Sequence, residues 1–144
     1  MAADETPRIS AREFETLIRE TIPLTQVLPF RVEALGWGTA RVRMLFHDAQ
    51  LRAGGTINGP ALMTLADTAL YAAVLTRIGM QPLAVTADLS IHFLRKPAPR
   101  DLVASATILR FGRRLAVGAI SIESADGGPL VAHATASYAL PPSE

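Results

Sequence analysis

The spacing of apolar residues in the first third of the chain predicts a helix followed by a hairpin. Apolar residues recur at helical spacing from Ser10 until Pro23 stops the run, and Ser10 with Glu13 forms a capping-box pattern at the start. Over residues 30–46 the period changes to two. We therefore expect an amphipathic surface helix and then two antiparallel strands.

A glycine-rich turn then leads into residues 60–79, which are almost wholly apolar. Pro60 suits the first turn of a helix, and Gly79 suits its C-terminal cap. So few polar positions lie between them that the helix should be buried on most sides. Asp67 is the exception, because packing alone would place another apolar residue there.

The last part of the chain has period-two patterns that predict three or four strands. Gly112-Arg113-Arg114 predicts a hairpin turn between two of them. The first of these patterns alternates strictly, which predicts one face carrying Thr86, Asp88, Ser90 and His92. The patterns cover residues 83–94, 102–111, 115–123 and 130–140.

The order of elements is a helix, two strands, a long buried helix and then strands, without βαβ alternation. This order predicts an α+β fold in which an antiparallel β-sheet wraps around one long central helix. A length of 144 residues suits one core. We expect a flexible N-terminal tail over residues 1–9 and a single domain over residues 10–144.

Composition narrows the classes of function. The formal net charge of +1 provides no general field for nucleic acid or an anionic membrane. The chain has no cysteine, which excludes thiolate chemistry and is consistent with a cytoplasmic location. Its three histidines lack ligand spacing, so we expect no metal and no cofactor. No signal peptide and no membrane-spanning segment is expected.

Asp67 and Gly59 are the main candidates for chemistry. A carboxylate about two turns into an apolar helix must face water or a polar cavity to avoid a large desolvation cost. Thr68, together with Thr64 and Tyr71, supplies nearby hydroxyls. The N–H of Gly59 lies at the positive end of the helix dipole, where a carbonyl oxygen or an oxyanion would be stabilised.

The spacing of these two residues indicates a dimer. Eight residues of helix separate Gly59 from Asp67, about 12 Å of rise, which is too far for both to touch one reacting carbon. Antiparallel helices across a twofold axis would bring Gly59 of one subunit near Asp67 of the other. The expected assembly is a homodimer or a dimer of dimers, with two composite sites per dimer.

The run Asn58-Gly-Pro-Ala-Leu-Met-Thr-Leu-Ala-Asp67-Thr-Ala resembles a known signature, His-Gly-Gly-x-x-x-x-Leu-Ala-Asp-x-Ala. It belongs to hotdog-fold acyl-CoA thioesterases of the phenylacetate-pathway type, in the hydroxybenzoyl-CoA thioesterase superfamily. The strand from Val85 to Pro97 is also similar to that family's strand after the helix, and the likeness covers residues 26–140. It implies a hotdog fold and an acyl-CoA substrate.

The resemblance also implies roles for individual residues. The carboxylate of Asp67 would act as general base or nucleophile on the thioester carbonyl, and the N–H of Gly59 would polarise that carbonyl. Thr86 would help to hold the attacking water. Arg95 and Lys96 are candidates for contacts with the coenzyme A phosphates, as a local basic patch can provide.

Three residues depart from the signature. Asn58 replaces the histidine and is a candidate substrate-binding residue, while Pro60 replaces the second glycine and leaves one N–H fewer. Arg52 stands where the family often has an asparagine. It would either pair with Asp67 of the other subunit and weaken it as a base, or bind a substrate carboxylate or phosphate.

These observations leave more than one function open. The leading hypothesis is hydrolysis of an acyl-CoA thioester, with the acyl chain in an apolar channel between the helices. The alternative is a non-hydrolytic protein that binds acyl-CoA or another acyl ligand on the same scaffold. A dehydratase is a third interpretation, but it would want a histidine paired with Asp67.

Overall fold

The structure is a computed structural model, and it describes residues 4–142. It contains one six-stranded antiparallel sheet, two α-helices, and two short 3₁₀ turns at Pro23–Gln26 and Asp48–Gln50. The helices and strands are α1 (Ala11–Thr21), β1 (Phe30–Gly36), β2 (Thr39–Met44), α2 (Gly59–Ile78), β3 (Val85–Phe93), β4 (Leu102–Phe111), β5 (Leu115–Ser124) and β6 (Ala132–Ala139).

The sheet places its strands in the order β1-β2-β4-β5-β6-β3, and α2 packs on one of its faces. The chain therefore has the hotdog architecture that the sequence predicted. Strand β3, which directly follows α2, forms an outer edge of the sheet and pairs with the last strand, β6. This connection carries residues far apart in sequence to the same stretch of α2.

Helix α2 begins and ends close to the predicted bounds. Gly59 is its first residue and Pro60 its second, one position later than expected for the proline, and Gly79 forms the C-cap with a positive φ of 80°. Helix α2 lies close to the sheet at Gly118 of β5, where a Cβ atom would collide with the side chain of Leu70.

By length and composition α2 could span a membrane, but most of it is buried inside the fold, as in a core helix.

The N-terminal segment is attached to the fold nearer its start than the sequence predicted. Helix α1 has the expected capping box between Ser10 and Glu13. The N–H of Arg8 donates to the carbonyl of Thr76 at 2.8 Å, and Ile9 is buried. The prediction of a flexible tail over residues 1–9 is therefore wrong for its last two residues, while residues 1–3 lie outside the described part.

Strand β3 departs from strict alternation at Ala87. Thr86 lies opposite Tyr138 of β6 and Asp88 lies opposite Ser137, so Ala87 is the extra residue of a β-bulge. Because Tyr138 and Ser137 face opposite sides of the sheet, Thr86 and Asp88 do so too. The prediction that these two residues share a face is wrong, and the bulge turns Thr86 towards α2.

Candidate active site

The start of α2 presents a backbone donor that the fold does not use. The side-chain oxygen of Asn58 accepts a hydrogen bond from the N–H of Ala61 at 2.8 Å, so Asn58 is the N-cap. Among residues 4–142, no acceptor is found for the N–H of Gly59. This N–H lies at the positive end of the helix dipole, as the sequence predicted.

The carboxylate of Asp67 is held by two hydroxyl groups from the sheet. Thr86 Oγ1 donates to Asp67 Oδ1 at 2.7 Å, and the Tyr138 hydroxyl donates to the same oxygen at 2.6 Å. The Tyr138 hydroxyl also lies 3.1 Å from the backbone carbonyl of Asp67. Both donors hold Oδ1, and within the described residues no hydrogen bond reaches Oδ2. One carboxylate oxygen is thus fixed by two donors, while the other makes no hydrogen bond among residues 4–142.

The surroundings of the Tyr138 hydroxyl favour its protonated form, in which it donates hydrogen bonds. Burial raises the pKa of its hydroxyl far above the ordinary value, and the neighbouring charge of Asp67 raises it further. Its ring stacks on Tyr71 of α2, with the ring centroids 5.7 Å apart. The hydroxyl is therefore fixed in position beneath Asp67.

Asp67 is half-buried and lies in the wall of a cleft of about 620 Å³. This cleft lies between α2, the end of α1 and the segment that leads into β3. Thr68 lines it beside Asp67, as predicted. The remaining lining residues are mostly apolar or aromatic: Thr21, Ile22, Tyr71, Pro82, Leu83, Ala84, Val85, Thr86 and Tyr138.

A second cleft, of about 350 Å³, adjoins the N-terminus of α2. Its apolar residues include Leu62 and Phe93, and the ring of Phe93 lies close over Gly59, where a Cβ atom would be 3.3 Å from the ring. The basic residues predicted to bind substrate lie in its wall with Gly59: Arg52, Arg95 and Lys96. This cleft is the more suitable of the two for anionic groups.

The structure therefore brings the predicted residues together in two groups. Asp67, Thr68 and Thr86 line the larger cleft, and Gly59 lies in the smaller one with the three basic residues. Arg52 lines the smaller cleft and not the wall that holds Asp67 of its own chain. Asn58 lines neither of them and caps α2 beside a third cleft of about 200 Å³.

Sequence reasoning missed Tyr138, the second donor to Asp67. It also offered Thr64 and Tyr71 as partners for the carboxylate. The Thr64 hydroxyl instead donates to the carbonyl of Pro60 at 2.9 Å, and the Tyr71 hydroxyl donates to the carbonyl of Pro82 at 3.2 Å. Only the lone tyrosine in the alternating pattern of β6 could have drawn attention to Tyr138.

Comparisons with known proteins agree with this fold. The family model described as the Thioesterase superfamily matches residues 54–131. A protein of Halobacterium salinarum named as an esterase is 34% identical over 116 residues, covering 74% of this chain and 76% of that protein. The chain therefore belongs to the thioesterase superfamily.

Solved structures show the same relationship. A crystal structure of a protein from Silicibacter sp. TM1040, described as a thioesterase, is 36% identical and covers 97% of both chains with a TM-score of 0.84. The PaaI protein of the E. coli phenylacetic acid degradation operon is 25% identical, covering 90% of this chain and 91% of that one, with a TM-score of 0.77. By family, the protein is a thioester hydrolase.

Proposed function

We propose that the protein hydrolyses acyl-CoA thioesters to a free acid and coenzyme A, with Asp67 as general base or nucleophile. The observation that carries the proposal is the carboxylate of Asp67, held through Oδ1 by Thr86 and Tyr138 in the wall of a large cleft. A carboxylate so fixed has its other oxygen free to take a proton or to attack a carbonyl carbon.

In the general-base route, Asp67 takes a proton from a water molecule as the water oxygen bonds to the thioester carbonyl carbon. The carbonyl oxygen becomes an oxyanion, which accepts a hydrogen bond from the N–H of Gly59. Collapse of this intermediate breaks the C–S bond, and the leaving thiolate recovers the proton. In the nucleophilic route a carboxylate oxygen of Asp67 bonds to the carbonyl carbon, the C–S bond breaks, and the coenzyme A thiolate leaves. Water then hydrolyses the mixed anhydride to the free acid and the Asp67 carboxylate, and a proton from that water protonates the thiolate.

The composite site requires two subunits. Within one chain about 12 Å of helix rise separates Gly59 from Asp67. The first half of α2 exposes a stripe in which Met63 is 40% exposed and Thr64, Asp67 and Thr68 are half-buried. Antiparallel packing of two such stripes about a twofold axis would place Gly59 of one subunit beside Asp67 of its partner. The exposed edge strand β3 is a second surface through which subunits could pair.

The basic residues of the smaller cleft suit the other end of the substrate. Arg52, Arg95 and Lys96 are exposed around an apolar floor that includes Leu62 and Phe93. Guanidinium and ammonium groups bind phosphate oxygens well. We assign these side chains to the phosphates of coenzyme A, with the pantetheine arm along the floor towards Gly59. Because acyl-CoA is an intracellular metabolite, a cytoplasmic location remains part of the proposal.

The test is release of free thiol from a panel of acyl-CoA substrates. The chain has no cysteine, so a thiol reagent reports product without background from the protein. Asp67→Asn should lower kcat by at least about a hundredfold, since it removes the base but keeps the shape of the side chain. Asp126→Asn, on the distant loop between β5 and β6, is the matched control and should leave the rate unchanged.

A non-hydrolytic acyl-CoA binding protein is the second candidate. The side-chain oxygen of Asn58 is engaged in capping α2, and Asn58 stands where the family signature has a histidine. This candidate predicts tight binding of acyl-CoA by calorimetry with no thiol release from any member of the panel. Hydrolysis that persists undiminished in Asp67→Asn would contradict the role given to Asp67.

A further inference from the structure

We propose that the cleft beside Asp67 binds the acyl group and selects uncharged, apolar acyl chains of medium length, with Leu83 as the main determinant of selectivity. The inference rests on the proposed function and names its substrate class. It places the acyl group between α2, the end of α1 and the segment before β3, whereas the sequence suggested a channel between the two central helices.

The size of the cleft sets the size of the group. Its volume of about 620 Å³ compares with about 350 Å³ for the cleft beside Gly59. An apolar cavity of about 150 Å³ is enough to hold a benzene molecule. The Asp67 cleft therefore has room for an acyl chain well beyond acetyl, and it is open at the carboxylate where the thioester would lie.

The charges around the cleft exclude an acidic acyl group. Of the residues that line it, Asp67 is the sole charged one, and no lysine, arginine or histidine of the described chain contributes to the lining. A second carboxylate in this cleft would be desolvated and repelled without any partner. The three basic residues lie in the other cleft, so the charges orient the coenzyme A phosphates away from the Asp67 side.

Leu83 forms an apolar wall whose backbone is held in place and whose side chain the single subunit leaves uncovered. Its side chain is 79% exposed. The backbone on either side is anchored, because the Tyr71 hydroxyl donates to the Pro82 carbonyl at 3.2 Å and the N–H of Ala84 donates to the Gln81 carbonyl at 3.3 Å. A fixed, exposed leucine in the lining of the cleft gains most from being covered by a ligand chain.

Ile22, just after the end of α1, also lines the cleft. Its N–H donates to the Ile18 carbonyl at 2.9 Å, and its own carbonyl accepts from the Thr25 hydroxyl at 2.8 Å. Both lining segments are thus anchored through their backbones. An acyl chain would contact preformed apolar surfaces, so its binding requires little ordering of the protein.

The test measures kcat/KM for straight-chain acyl-CoAs of four, six, eight and ten carbons, and for adipoyl-CoA. We expect kcat/KM to rise by about two- to fourfold for each added methylene group up to at least eight carbons. Adipoyl-CoA should be poorer than hexanoyl-CoA by on the order of a hundredfold. A flat chain-length profile, or equal use of adipoyl-CoA, would overturn the inference.

Variants of Leu83 locate the selectivity. Leu83→Ala should lower kcat/KM for octanoyl-CoA by about tenfold while changing butyryl-CoA by less than about twofold. Leu83→Trp, which fills the cleft, should shift the preference to shorter chains. Leu109→Ala is the matched control, because Leu109 is also exposed, at 63%, but lies on β4 away from the cleft. If Leu83→Ala instead slows every chain length equally and dissociates the dimer, Leu83 belongs to a subunit interface and the inference is wrong.

The inference and the proposed function fail in different ways. Hydrolysis that does not depend on Asp67 contradicts the proposed function. Asp67-dependent hydrolysis with a flat chain-length profile contradicts only the acyl assignment. If no substrate is hydrolysed, calorimetric Kd values of the Asp67→Asn protein for the same acyl-CoA series still test the acyl assignment. Tighter binding of longer chains is expected, and equal binding of all chain lengths would overturn the assignment.

Discussion

Replacing Gly59 by proline removes the proposed oxyanion donor with little other change. Gly59 is the first residue of α2, where proline is well tolerated because its missing N–H has no partner within the helix. Asn58, which precedes it, has φ −77° and ψ 157°, a conformation that a following proline favours. The backbone before position 59 can therefore accept Gly59→Pro. A helical residue with a Cβ directly before Pro60 is strained, and Gly59→Ala shares that strain.

Gly59→Ala is the matched control, since it keeps the N–H. Both variants add a Cβ atom that would lie 3.3 Å from the ring of Phe93, and both place a side chain before Pro60. The half-exposed Phe93 can move by the few tenths of an ångström required, so we expect Gly59→Ala to lose no more than about fivefold in kcat. The difference between the variants isolates the hydrogen-bond donor.

The expected difference is large. Loss of one oxyanion donor costs about 3–4 kcal/mol of transition-state stabilisation, or on the order of a hundred- to a thousandfold in kcat. The assay is thiol release at saturating acyl-CoA, with thermal unfolding to confirm that both variants fold. If Gly59→Pro retained a kcat within about threefold of Gly59→Ala, the N–H of Gly59 could not be the oxyanion donor.

Three further predictions address the carboxylate, the substrate phosphates and the sheet. Tyr138→Phe removes a buried hydrogen-bond donor to Asp67, so it should lower the free energy of unfolding, measured by urea titration, by about 1.5–3 kcal/mol and should lower kcat by about tenfold. An unchanged kcat would mean that Tyr138 is only structural. The double variant Arg52→Gln, Lys96→Gln should raise KM about tenfold for acyl-CoA. It should leave KM unchanged for acyl-N-acetylcysteamine, a substrate that lacks the phosphates. An equal rise in KM for both substrates would rule out phosphate contacts by these two side chains. Hydrogen bonds from Arg43 and Arg41 lower the pKa of Glu33, so this carboxylate stabilises the folded state above the unfolded-state pKa of about 4.3, and the stabilisation is lost as pH falls through the lower folded-state pKa. Glu33→Gln should therefore lower the free energy of unfolding by about 0.5–1 kcal/mol at pH 7 and leave it unchanged near pH 2. A difference between wild type and variant that stayed constant with pH would contradict this role of Glu33.

The fold and half of the site could be predicted because the relevant signals are local. Helix α2 is marked by a proline near its start, a glycine after its end and a continuous run of apolar residues. Asp67 stands out because it is a carboxylate within that apolar run. Turn residues between alternating segments likewise mark the hairpin of β4 and β5. Each of these features depends on neighbouring residues alone, so it can be read along the chain.

The rest of the site depends on how the sheet wraps around α2. Tyr138 is 71 residues from Asp67 in the chain, and the two meet because the last strand pairs with the edge strand that follows the helix. The bulge at Ala87 decides whether the Thr86 hydroxyl faces α2, and strict alternation gives the wrong face. The resemblance supplied Thr86, but neither spacing nor resemblance supplied Tyr138.

In the proposed dimer each active site combines Gly59 of one subunit with Asp67 of the other. A heterodimer of one Asp67→Asn chain and one Gly59→Pro chain, each with its own affinity tag, tests it directly. Both homodimers should be nearly inactive. In the heterodimer one composite site is intact and the other carries both substitutions, so thiol release should recover to about half of the wild-type rate per dimer. A purified heterodimer as inactive as the two homodimers would contradict a site shared between subunits.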